Sequence, residues 1–76
     1  MARRFLASIT SSLLSGSLQL DLTERVSRLP AGGVVSWIEK WKGTKYLIVL
    51  KNESEGGVRL AVVALNGGVE VVTQVL

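Results

Sequence analysis

From Lys45 onward the chain alternates. Tyr46, Ile48 and Leu50 fall on one side of an extended backbone, and Lys45, Leu47, Val49 and Lys51 on the other. The same period of two runs through Val58, Leu60, Val62 and Ala64, with Arg59, Ala61 and Val63 between them, and valine-rich sequence returns from Val69 to Leu76. Strands over 45–51, 58–65 and 69–76 follow. Asn66-Gly67 between the last two predicts a type I′ hairpin, because both central residues of that turn need positive φ. The resulting register sets Ala64 against Val69, Val62 against Val71, Leu60 against Thr73 and Val58 against Val75 on one apolar face. A three-residue loop including Gly68 would bring Arg59 opposite Val75, which the hydrophobic pattern opposes.

The first half of the chain reads differently. Phe5, Leu6, Ile9, Leu13 and Leu14 recur at the spacing of one helical stripe, and Gly16 stands where a C-cap belongs, which predicts a first helix. Asp21 can cap a second, with Glu24 three positions on and an apolar face of Leu22, Val26 and Leu29 ahead of Pro30. Leu18 to Leu22 also alternates, leaving a brief extended piece as the alternative there. Val34 to Trp41 reads as a strand in preference to a short helix capped by Ser36 and stopped by Gly43. Its Val34-Val35 start favours extension, and Lys42-Gly43-Thr44 suits a hairpin. As a strand it carries Val35, Trp37, Glu39 and Trp41 on one side. The expected class is α+β, with two N-terminal helices packed on a four-stranded antiparallel meander. One domain spans 1–76, helical over 1–30 and sheet over 34–76.

Size and composition narrow what such a domain can do. A chain of 76 residues has room for one sheet and a small core, yet 47% of it is hydrophobic. Leu47, Val49, Ala61, Val63 and Val72 would form an apolar strip on the second sheet face, with basic residues at its ends. A homo-oligomer, in the simplest case a homodimer, is the natural way to cover it. Cysteine and histidine are both absent, which removes disulfides, thiolate nucleophiles and the usual transition-metal ligands together. Gly-x-Ser-x-Gly does not occur, the closest carboxylate pair, Glu53 and Glu55, sits in a glycine-flanked turn, and Gly32-Gly33 and Gly67-Gly68 lack the context of phosphate loops. The expectation is therefore a non-enzymatic protein with no cofactor and no metal. No apolar run approaches the ~20 residues of a spanning helix. The arginine-led, serine-rich N-terminus partly resembles a targeting segment but reads as part of the domain, so a cytoplasmic protein without a membrane partner is expected.

Charge is unevenly placed. The formal total is +3, and the stretch from Trp37 to Lys51 holds four lysines against Glu39, while Glu53, Glu55 and Glu70 oppose Arg59 towards the end. That basic stretch also holds Trp37, Trp41 and Tyr46. Lysines attract phosphates without regard to sequence, and flat rings offer faces on which unpaired bases stack for about 1 to 3 kcal/mol each. Single-stranded DNA or RNA is thus the expected partner, bound with little sequence preference. Trp37, Trp41 and Tyr46 are the candidate stacking groups, with one indole in the core and Trp41 the more exposed. Lys40, Lys42, Lys45, Lys51 and Arg59 are the candidate phosphate contacts. The alternative is a homo-oligomeric protein-interaction module with no role in nucleic-acid binding, its lysines merely solvated.

Two helices followed by an antiparallel sheet, in a small chain free of Cys and His, is similar in layout to the ThermoDBP-related single-stranded nucleic-acid-binding proteins of hyperthermophilic archaea. The resemblance spans the whole chain and rests on no signature string. It implies helices on one side of a sheet, an apolar, aromatic and basic cleft, and the same stacking and phosphate residues.

Overall fold

The computed structural model describes residues 4–10, 16–67 and 69–76, the side chains of 69–75 excepted. Strands β1 (Leu6–Thr10) and β2 (Ser17–Asp21) form an antiparallel hairpin, and a five-residue helix α1 (Thr23–Ser27) follows. Then come β3 (Val34–Trp41), β4 (Thr44–Asn52), a 3₁₀ turn at Ser54–Gly56, β5 (Val58–Ala64) and β6 (Val69–Val75). These last four strands make one antiparallel sheet in the order β3-β4-β5-β6. Among the described residues no helix is long and apolar enough to cross a membrane.

The expected pair of packed helices is therefore corrected, and 1–30 is not a helical unit. In place of the first helix, residues 6–10 are a strand with Ala7 and Ile9 buried and Leu6, Ser8 and Thr10 exposed. Small Ala7 conceals that period of two, while Phe5, Leu6 and Ile9 imitate a helical stripe. The rest of the expected helix, with Leu13 and Leu14, lies outside the described residues. Gly16, expected as a helix cap, leads directly into β2 with φ at +128°. The alternation of Leu18, Gln19 and Leu20 is realised in β2, whose Leu18 and Leu20 are buried. The second helix shrinks to Thr23–Ser27. Asp21 accepts a hydrogen bond from the Thr23 backbone N–H at 3.1 Å, and α1 is held to the hairpin by Phe5 N donating to Thr23 Oγ1 at 2.9 Å.

One core unites the two sheets. Ala7, Ile9, Leu18, Leu20 and Leu22 face Tyr46, Ile48, Leu50, Val58, Leu60, Val62 and Ala64, with Phe5, Val26, Leu29, Val35, Trp37 and Trp41 half-buried around them. Ile9, Leu22, Ile48, Leu50, Leu60 and Val62 are sealed from solvent, each contributing about 1.5–3 kcal/mol by burial. The hairpin thus does the covering expected of the two helices. Two layers of sheet leave the other face of β3-β6 without a described layer upon it.

Turn chemistry fixes the β3-β4 hairpin. Lys42 (φ 48°) and Gly43 (φ 79°) both take positive φ between the paired residues Trp41 and Thr44, the signature of a type I′ turn. At the β5-β6 connection Gly67 (φ 92°) takes positive φ but Asn66 does not, so the expected type I′ turn is not formed; Ala64 does pair with Val69, but a bulge between Val62 and Val63 then shifts the ladder. Val62 pairs with Val72, Leu60 with Gln74 and Arg59 with Val75, in place of the uniform register read from the sequence. The extra residue sits on β6, so the shift arises within the strand and not from a longer turn.

Candidate interaction surface

Strand β3 positions both indoles. Its even-numbered residues Val34, Ser36, Ile38 and Lys40 are exposed, and its odd-numbered residues Val35, Trp37, Glu39 and Trp41 are half-buried. Trp37 stands beside Ile48 in the ladder and Trp41 beside Thr44, so both rings lie on the side of the sheet that faces the core. Trp37 and Trp41 are both partly exposed at the margin of the core. The Trp37 ring carries the Arg25 guanidinium 3.8 Å from its centroid, and its Nε1 donates to Glu39 Oε1 at 2.9 Å. The Trp41 ring has Lys42 Nζ 4.7 Å from its centroid. It also packs close to Gly16, where a Cβ would come within 3.6 Å of Trp41 Cη2 and 3.4 Å of Lys42 Nζ.

Tyr46 is more deeply placed still. At 4% exposure it belongs to the core, so a ring expected to stack on a base is covered by protein. The phosphate candidates lie on the far side. Lys40, Lys45, Lys51 and Arg59 alternate with inward residues of β3, β4 and β5 and are all exposed on the outer face. Only Lys42, at the turn, accompanies an indole. The eight residues are close in sequence, but the pleat sends rings one way and most cations the other.

The outer face has a definite order. Ile38, Leu47 and Val63 make one row across three strands, and Ser36, Val49 and Ala61 make the next. Lys40 stands opposite Lys45 at one end of this apolar strip. Lys51 stands opposite Arg59 at the other, where Glu53 reaches both, at 3.8 Å and 3.3 Å. The Arg59 hydrogen bond and charge, with Lys51 adding, hold the Glu53 carboxyl below its ordinary range. At the exposed end of β2 Asp21 is likewise lowered, by hydrogen bonds from Thr23 and then by Arg4.

No known family, curated protein or solved structure matches the chain. The archaeal likeness rested on a layout of two helices before a sheet, which the fold replaces with a hairpin and one turn and a half of helix.

Sequence reasoning found the cationic ends of the outer face but missed Val34 and Ile38. These are 59% and 50% exposed, the most open aliphatic side chains of the main sheet among those described. Assigning Val34–Trp41 as a strand, with its odd residues inward, was signal enough to find them. Beside Val35, an open groove of about 460 Å³ is lined by Asp21, Glu24, Arg25, Arg28 and Leu29. Its charges are mixed and it has no converging set of like groups.

Proposed function

We propose that the chain is a protein-interaction module that works by self-association, with β3 and the outer sheet face as its contact surface. The observation that carries this reading is the exposure of Val34 and Ile38 on a terminal strand, continuous with the aliphatic row through Leu47 and Val63. Aliphatic side chains have no stacking partner to offer a base, but they recover about 25 cal/mol per Å² when another apolar surface covers them. The separation of indoles from lysines speaks for this reading over strand binding. A base that stacked on Trp37 would have to displace Arg25, and its phosphates would find Lys40, Lys45 and Lys51 on the opposite side.

Sedimentation velocity over a protein series from about 1 to 100 µM tests the proposal, with a dimer growing in as the expected result. Intrinsic fluorescence with single-stranded oligo-dT at low salt is the companion measurement. It should stay unchanged; a chain that remained monomeric while its tryptophans were quenched would be a nucleic-acid-binding protein instead.

A further inference from the structure

The open edge of β3 defines how two copies would meet. The Trp41–Thr44 pair that closes the two-residue turn is a hydrogen-bonded pair, and such pairs alternate along an antiparallel ladder. Asn52 N donating to Gly33 O at 2.9 Å and Leu65 N donating to Lys45 O at 3.0 Å fit the same alternation. Val35, Trp37 and Glu39 therefore turn their backbone groups towards β4, while Val34, Ser36, Ile38 and Lys40 turn theirs outwards. No described strand receives them.

Edges of this kind are normally blunted by proline, lysine or a bulge. The β6 edge has a bulge. From Val34 to Ile38, β3 has none of these devices and pairs with β4 in unbroken register. We propose that a second copy of the chain pairs antiparallel along this edge, with the two-fold axis at Ser36. The inference rests on the self-association reading above and adds to it a partner, a symmetry and a register.

Side-chain matching selects that register. An axis at Ser36 sets Val34 against Ile38 of the partner subunit on the outer face and Val35 against Trp37 of the partner subunit on the inner one. Lys40 and Glu39 then stand opposite Gly32 and Gly33 of the partner subunit, so neither charge meets its like or an apolar side chain. Moving the axis to Trp37 opposes Val34 to Lys40 and Val35 to Glu39. At Ile38 it opposes Trp37 to Glu39 and Ser36 to Lys40, and at Glu39 it brings two carboxylates together. Pairs of like charge or of charge with aliphatic weaken a ladder, whereas apolar pairs strengthen it. In the Ser36 register both exposed aliphatics of β3 are covered, about six backbone hydrogen bonds form, and the groove beside Val35 leaves space on the inner side for the partner's Trp37.

The chain has no cysteine, so Ser36→Cys introduces a unique thiol. At the axis its copies have Cα atoms about 5.5 Å apart, inside the range a disulfide spans, and mild oxidation or a short thiol cross-linker should join them rapidly and in proportion to the dimer. Ser36→Pro removes only an outward N–H and is compatible with an edge strand. It should raise the dimer dissociation constant at least about tenfold with the far-UV circular dichroism unchanged. Ile38→Lys, a substitution at an exposed position, should weaken the dimer similarly should the proline variant lose its fold. Gln19→Lys, at an exposed position of the hairpin away from β3 and the outer face, should leave the dimer intact. A dimer that survives Ser36→Pro and Ile38→Lys, fails to cross-link as Ser36→Cys, or is abolished by Gln19→Lys would overturn the edge assignment while sparing self-association. A chain monomeric at every concentration overturns both.

Discussion

The guanidinium of Arg25 lies 3.8 Å from the centre of the Trp37 ring, joining the short helix to the edge strand across the margin of the core. With Glu39 holding the indole N–H at 2.9 Å, the ring is fixed on one side by charge and on its rim by a hydrogen bond. Arg25→Ala should destabilise the domain by about 0.5–1 kcal/mol and open Trp37 to solvent. Thermal unfolding measures the first effect, and a red-shifted, more acrylamide-sensitive tryptophan emission the second. Unchanged emission would mean that the guanidinium does not shield the ring.

The β3-β4 turn is built with an unfavourable residue. Lys42 takes φ 48°, a conformation that disfavours a residue with a Cβ by about 1 kcal/mol or more, in a turn whose first central position prefers Asn. Part of that strain is offset by the ammonium above Trp41, worth about 0.5 kcal/mol at an open site. Lys42→Asn should therefore raise the melting midpoint by about 2–4 °C. A lower midpoint would show that the Lys42–Trp41 contact outweighs the backbone strain.

Lys40 and Lys45 face each other across β3 and β4 on the solvent side, an arrangement that opposes like charges directly. Among the described residues no ion pair involves either. Lys45→Glu converts the pair to an attractive one and should stabilise the domain by about 0.5 kcal/mol, more at low than at high ionic strength because exposed charges are screened by salt. Denaturant titrations at two salt concentrations would reveal the difference. No dependence on salt would mean that the two ammonium groups diverge into solvent.

How much of this was legible from residue order depends on where burial is one-sided. Tyr46 to Leu50 and Val58 to Ala64 alternate cleanly because a single face of the sheet is sealed, and their inward rows appear as the sequence predicts. The N-terminal segment defeats the same reasoning, since Ala7 is too small to mark an inward position and Leu6 is apolar yet 62% exposed. A strand with one apolar residue turned outward is readily mistaken for a helical stripe. The β6 bulge is illegible for another reason: Val71 and Val72 are interchangeable by pattern, so nothing in the residue types marks the extra one. For the candidate site, proximity in sequence misled. Rings and lysines at neighbouring positions of one strand point to opposite faces, and the choice between gathering and dividing them was made by the parity of Trp37, Trp41, Lys40 and Lys45.

Glu53 gives the molecule an acid-sensitive joint. Its carboxylate accepts from Arg59 at 3.3 Å and lies 3.8 Å from Lys51, and these contacts lower its pKa beneath the ordinary 4.5. A carboxyl that binds its proton less readily when folded contributes stability above the unfolded-state value. That contribution fades as the pH drops below 4.5 and through the lower folded-state value, because the unfolded chain then takes up the proton first. Asp21, lowered through Thr23 and Arg4, acts in the same direction in the same acid range. Melting midpoints should accordingly be flat from neutral pH to about 5 and fall below it. Glu53→Gln should flatten part of that fall, losing stability at pH 7 while approaching the parent in acid. A variant whose deficit stayed constant with pH would show that Lys51 and Arg59 do not recognise the charge of Glu53.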